Sequence, residues 1–351
     1  MRLENNFYNK NNYNVMPAKD VNFCAILHVD RSTKNINDSW FFRDIKTLED
    51  ATDHIYAYFP NGADILVYGC STGEGNISLK ALMPENKYRV IGYDNSADAI
   101  RIGKRGVYTL FSNWDDSYLL PNGIIFDNCS EEERKQMLRL RGKFHNMMYE
   151  VPYCEEFRDI NNKDGFKRIK CAFSSFEERF YCIRESFKKQ IDLRFGDFIN
   201  VGQVRKERPV GGIFFRNAIY HMCKNNVNEV LEYNSPAGVF KNKNLLMEYL
   251  VNGVYKTLDD NGIFVLGNHL KEHLFLADDT TPPENTICFK DTPFYVDKNP
   301  KHRKNASLKC FKKSPLIEAL LKDGRFIPTG FSYVTTYGCK VKVPVIFKKI
   351  L

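Results

Sequence analysis

No stretch of the 351 residues approaches the roughly 18 consecutive apolar residues that a membrane-spanning helix needs, so no membrane span is expected. Residues 1–14 are polar and rich in Asn, without the apolar core of a signal peptide. The ten cysteines never form a C-x-x-C pair, and without an export signal they read as reduced thiols of a cytoplasmic chain. Metal-ligand spacing of Cys and His is absent too, so no metal is expected. Neither an RNP, a zinc-knuckle nor a helix-turn-helix signature occurs, and nucleic acid is not an expected partner. The dinucleotide fingerprint G-x-G-x-x-G is also missing.

Hydrophobic content of 43% and charged content of 27% describe a soluble globular chain with a real core. A net charge of +8 permits an acidic partner without proving one, and a solvated basic surface is the plainer reading.

The most informative stretch is Ile65-Leu66-Val67-Tyr68-Gly69-Cys70-Ser71-Thr72-Gly73-Glu74-Gly75. An apolar run feeds a Gly-punctuated turn, and a helix is expected over 77–83. About 20 residues after Glu74, Asp94 closes a second apolar run, 88–93. Strand, Gly-rich turn, helix, strand and terminal acid is the layout of a nucleotide-binding βαβ unit. Gly69 and Gly73 let the backbone approach a ligand, and Asp94 can accept from two ribose hydroxyls. The carboxylate of Glu74 would repel a pyrophosphate. The turn suits a cationic ligand without phosphates, and S-adenosylmethionine (SAM) is the candidate.

A helix is expected over 44–58 before the first strand, and another over 96–104, with Ser96 able to cap it. The βα rhythm is lost from about 109 to 190, where 131–148 reads as helix and 168–171 and 179–184 as short strands. This block is too long for a simple connection and reads as an inserted subdomain. The rhythm returns with strands at 191–195, 212–215 and 263–266 and a helix at 245–258. Residues 278–313 read as a long polar loop with a basic run at 298–304. A helix at 315–321 and an antiparallel pair, 326–334 with 341–349, close the chain. The fold class expected is α/β, Rossmann-like: a seven-stranded, mostly parallel sheet with an antiparallel C-terminal hairpin, plus the insert at about 109–190. Residues 1–36 form a polar lead, partly disordered, and 37–351 one catalytic domain.

At this point the residues resemble a known family. Cys70-Ser71-Thr72-Gly73-Glu74 looks like the core motif of the CheR-type chemotaxis methyltransferases, class I enzymes that methylate receptor glutamates using SAM. Upstream, Asn37-Asp38-Ser39-Trp40-Phe41-Phe42-Arg43-Asp44 resembles the family's N-x-T-x-F-F-R, at a suitable interval. Further matches are Lys104-Arg105-Gly106-Val107-Tyr108, Arg216-Asn217, and the segment 259–262. The resemblance covers roughly residues 37–270.

It implies cofactor contacts at Asn37, Ser39 and Arg43, with Ser39 keeping the hydroxyl of the family's Thr. Glu74 matches the acid facing the methionine ammonium, and Asp94 the ribose-binding acid. Asp197 and Phe198 stand where the family has Asn-Leu near the adenine. Phe215, Arg216 and Asn217 match the segment that closes the pocket. The family's active-site Tyr falls at His221 here, with Tyr220 one residue earlier. The family's helical N-terminal domain is shortened to about 36 polar residues here.

The resemblance implies a protein-glutamate O-methyltransferase, with a chemoreceptor cytoplasmic region as a candidate acidic substrate. A glutamate acceptor is ionised at neutral pH and needs no general base. Arg43 could orient it bidentately, and Tyr220 could donate a second hydrogen bond. If the acceptor were a small molecule, an amine or RNA, His221 would be the candidate base. A third reading is a non-catalytic SAM-binding signalling module.

Overall fold

The computed structural model describes residues 41–42, 44–113, 116–117, 131–152, 177–216, 233–235, 238–240, 243–267, 274–276, 286–288, 295–297, 311–313, 315–336 and 339–350. In chain order these begin with α1 (Ile45–Tyr58), β1 (Ala63–Tyr68), α2 (Glu74–Leu82), β2 (Tyr88–Asp94), α3 (Ala97–Arg105) and β3 (Val107–Asn113). Then follow β4 (Asp116–Ser117), α4 (Glu131–Met147), β5 (Met148–Val151), β6 (Glu177–Ile183), α5 (Glu185–Lys188) and β7 (Ile191–Phe195). A 3-10 helix (Phe198–Gln203), β8 (Val210–Phe215), β9 (Tyr233–Ser235), β10 (Gly238–Phe240), α6 (Lys243–Thr257) and β11 (Ile263–Leu266) come next. The last elements are β12 (Leu274–Leu276), β13 (Thr286–Cys288), β14 (Tyr295–Asp297), β15 (Phe311–Lys313), α7 (Pro315–Asp323), β16 (Phe326–Thr336) and β17 (Cys339–Lys349).

Every residue of β1, β8 and β11 is buried. Strands with no solvated face need helices on both sides, and that is the arrangement found. The seven-stranded sheet runs β7-β2-β1-β8-β11-β17-β16. Its strands are parallel except β17, which is antiparallel to both neighbours. The expected Rossmann-like α/β class, with its antiparallel C-terminal hairpin, is therefore the observed one. The chain builds outward from β1 through β2 to β7, then crosses back to β8 and β11. That reversal beside β1 is a topological switch point, where such sheets bind ligands at their carboxyl edge.

Side chains alternate across β1, as the two-residue period of a strand requires. Ile65 and Val67 pack with Leu48 and Ile55 of α1 and Ile77 of α2. Leu66 and Tyr68 face the opposite core, with Phe198, Leu250 of α6 and Leu316 of α7. Across that second layer, a Cβ on Gly202 would lie 2.9 Å from the Cα of Gly253, so the 3-10 helix and α6 meet backbone to backbone.

The stretch where the βα rhythm fails forms a second sheet, four antiparallel strands in the order β4-β3-β6-β5. Helix α4 packs Leu140, Phe144 and Met147 inward at helical spacing.

Two expectations need adjustment. Helix α2 starts at Glu74, not at residue 77, because Gly73 turns the chain at φ 97° and an acid suits the helix N-terminus. The segment 278–313 is not wholly loop: β13 pairs with β14, and β15 pairs with β12. Their alternation is only three residues long, too short to register as a strand pattern. The expected strand at 168–171 and the basic run at 298–304 lie outside the described residues.

Lys80 of α2 has no exposed surface. Its Nζ donates to the carbonyls of Glu85 at 2.8 Å and Tyr88 at 2.7 Å, closing the connection from α2 to β2. Burial draws its pKa down to about 8. Lys80→Met keeps the aliphatic stem and removes the donor from both carbonyls. Urea unfolding should show a loss of about 2–4 kcal/mol at unchanged m value.

Candidate functional site

The carboxyl ends of β1, β2, β7 and β8 open onto one edge of the sheet, and the candidate residues gather there. After β1 the chain turns through three positive φ angles: 65° at Gly69, 51° at Ser71 and 97° at Gly73. Glycine adopts these at no steric cost, whereas Ser71 is held there against a side-chain preference. What holds it is Asp94. The Ser71 N–H donates to Asp94 Oδ2 at 2.7 Å, and the Ser96 N–H donates to Oδ1 at 2.9 Å. Ser96 in turn caps α3, accepting from the Ala99 N–H at 3.2 Å.

Each carboxylate oxygen has two lone pairs, so Asp94 retains acceptor capacity beyond these N–H groups. Burial lifts its carboxyl above the ordinary aspartate value, and the N–H groups of Ser96, Ser71 and Asn95 pull it partly back.

Glu74 opens α2 and is 7% exposed. The Thr72 hydroxyl lies 2.6 Å and 2.7 Å from its two oxygens, sharing one proton between them. Arg216, just after β8, reaches the same helix start: a Cβ on Gly75 would stand 3.7 Å from its Nη2.

Asp197, just after β7, caps the 3-10 helix by accepting from the Ile199 N–H at 3.1 Å. Asn95 donates to its other oxygen at 3.4 Å. Burial raises this carboxyl as well, and the charge of Asp94 adds to the rise. Phe198 and Phe215 stack at 4.0 Å and 17° inside the core below this edge. Their rings are buried beneath it.

On the α1 side the segment before Arg43 is locked down. Phe41 and Phe42 are both buried. The Phe42 N–H donates to Ser78 Oγ at 2.7 Å, and that hydroxyl donates to the Glu74 carbonyl at 2.7 Å. Phe42 and Asp44, either side of Arg43, have φ of 53° and 58°. Positive φ at a bulky aromatic costs about 1–3 kcal/mol and concentrates at functional sites.

Of the residues expected from sequence, Gly69, Gly73, Glu74, Asp94, Asp197, Phe198, Phe215 and Arg216 come together at this edge. Asn37, Ser39, Arg43, Asn217, Tyr220 and His221 lie outside the described residues. Sequence reasoning gave no role to Thr72, Ser78 or Asn95. Thr72 had a local signal, two residues before the acid it holds. The contact of Ser78 with Phe42 spans 36 residues of chain and left none.

No protein-family model matches the chain, and no curated protein matches it. Solved structures similar to it include a SAM-dependent methyltransferase from Methanosarcina mazei, at 12% identity, with 85% of this chain and 97% of that chain covered and a TM-score of 0.33. Another is the glycopeptide N-methyltransferase MtfA complexed with SAM, at 11% identity, 91% and 99% coverage and a TM-score of 0.32. A third is the N-methyltransferase NodS from Bradyrhizobium japonicum WM9, at 10% identity, 88% and 97% coverage and a TM-score of 0.32. None of these three is a chemotaxis methyltransferase. The fold is defined by strand order and direction, not by these overlays.

Ser78→Ala removes the acceptor of a buried N–H on a residue already at positive φ. It should cost about 1–3 kcal/mol in denaturant unfolding and speed hydrogen exchange at Phe42.

Proposed function

We propose that the chain is a SAM-dependent methyltransferase that acts on a glutamate side chain of a protein, as the CheR-type enzymes it resembles do. The observation that carries the reading is the pair of buried acids on either side of the glycine turn. Asp94 takes the Ser71 and Ser96 N–H groups, and Glu74 occupies the first position of α2. A phosphate site would present bare N–H groups and no carboxylate at that helix start. Here the helix start is acidic, which favours a cationic, phosphate-free ligand carrying ribose hydroxyls.

The residues present fit SAM. Asp94 would accept from the ribose hydroxyls, Asp197 from the adenine amino group, and Glu74 would face the ammonium. Bound SAM supplies a methyl on a sulfonium, already electrophilic. The protein's part is then to align the acceptor and exclude water. An ionised glutamate needs no base, so Arg43 serves to orient one of its oxygens bidentately, and Tyr220 to donate to the other. The net charge of +8 suits an acidic acceptor segment. The insert at about 109–190 is the part we assign to acceptor contact. A cytoplasmic location belongs to the same proposal. Among the described residues no helix is long and apolar enough to cross a membrane.

His221, standing where the resembled family has its Tyr, favours a second reading. There the acceptor is a small molecule, an amine or RNA, and His221 is the base.

The test supplies methyl-labelled SAM to the purified protein with an extract of the source cells, then treats the protein fraction with mild alkali. Label released as methanol, and lost in Arg43→Ala, is the expected result. Label that resists alkali, or sits in RNA or small molecules, sinks the glutamate reading. SAM binding without any turnover would mark a binding module instead.

Two binding predictions accompany this. Asp94→Ala should weaken SAM binding at least about 100-fold by calorimetry, since it removes two ribose contacts and frees the Ser71 N–H. SAM affinity should also fall on acidification. The ionised carboxylate is the binding form, and burial raises Asp94 and Asp197, so the loss should begin above the ordinary aspartate range of about 4. A pH titration of Kd that stays flat down to that range would contradict the assignment.

A further inference from the structure

Tyr108 belongs to β3 of the second sheet, yet its hydroxyl serves the first. It donates to the Thr72 carbonyl, within the glycine turn, at 2.9 Å. The side chain is buried, and its oxygen lies 3.4 Å from where a Cβ on Gly73 would stand. The ring meets Phe41 edge-on at 5.4 Å, and Phe41 meets Phe144 of α4 at 5.2 Å. Phe144 meets Tyr181 at 5.3 Å, and Tyr181 is the cross-strand partner of Tyr108 in β6. Four buried rings therefore join the second sheet, α4 and the segment before Arg43, and one of them ends on the turn.

Thr72 is held at both ends. Its carbonyl takes the Tyr108 hydroxyl, while its own hydroxyl engages both oxygens of Glu74. The other side of that carbonyl is closed, since a Cβ on Gly103 would lie 2.5 Å from the Thr72 oxygen. With its oxygen so enclosed, the Thr72 peptide has little freedom to rotate, and the Tyr108 contact fixes the backbone from which its hydroxyl reaches Glu74. Burial and the charge of Glu74 push the Tyr108 phenol well up, so it remains a donor at any working pH.

We propose that Tyr108 is a positioning residue: through Thr72 it fixes the Glu74 carboxylate, and so makes cofactor affinity depend on the second sheet. The role in affinity rests on reading the turn as the SAM site. A ring that merely packs would be replaced without loss by Phe, which keeps every aromatic contact and removes only the hydroxyl.

The experiment compares the wild-type full chain with Tyr108→Phe, by hydrogen exchange without ligand and by calorimetric titration with SAM. Amides of residues 71–75 should exchange about tenfold faster in the variant, and those of 210–215 at an unchanged rate. The SAM Kd should rise about 5–10-fold with the binding stoichiometry intact. A purely structural defect would instead lower the binding-competent fraction and leave the Kd of the remainder alone. Unchanged exchange in the turn overturns the positioning role. Faster exchange with a wild-type Kd overturns the link to affinity. Wild-type protein that binds no SAM sinks the methyltransferase reading and the link to affinity with it, and the exchange comparison then decides whether Tyr108 positions the turn.

Discussion

Asp94 holds the amide of Ser71 at 2.7 Å and that of Ser96 at 2.9 Å, so one carboxylate fixes both the turn after β1 and the entry to α3. The two strands beneath it, β1 and β2, are in parallel register from Ala63 with Tyr88 to Tyr68 with Tyr93. That register brings the turn and the acid to the same edge. The close approach also needs Gly92, where a Cβ would lie 2.5 Å from Asn76 Nδ2 and 2.9 Å from Cys70 Sγ. Were β2 displaced, the amide of Ser71 would lose its acceptor at a positive φ, and the start of α2 would move with it.

The site is assembled at a cost in stability. Asp94 and Asp197 are both lifted by burial, so the folded chain holds their protons to higher pH than the unfolded chain does. Their contribution to stability is therefore present at low pH and lost as pH rises through the folded values. The ionised form of Asp94 stands in a poorly solvated place, beside Ser71 at positive φ. The two apolar layers offset this, since β1, β8 and β11 are covered on both faces. Backbone strain of this kind concentrates at functional sites.

The second sheet matters because of where it touches the first. Tyr108 and Phe41 link it to the glycine turn and to the segment before Arg43. The part of the chain with the least regular sequence pattern thus contacts the part with the most regular one, beside Glu74.

The sequence by itself determined the sheet and the edge at which the candidate residues gather. Apolar runs at β1, β8 and β11 marked strands, and Gly69, Gly73 and Asp94 stood at the spacing a βαβ unit demands. Those signals are local: a turn needing positive φ, or a strand end needing an acid, is written in a few adjacent residues. Tertiary structure alone decided what Ser78 and Tyr108 do. The first reaches Phe42 and the second reaches Thr72, each across 36 residues of chain. It also decided that the rings of Phe198 and Phe215 stack on each other in the core below the edge. A hydrogen bond or ring contact between distant segments depends on how layers pack, and packing leaves no periodic trace in either partner's own neighbourhood.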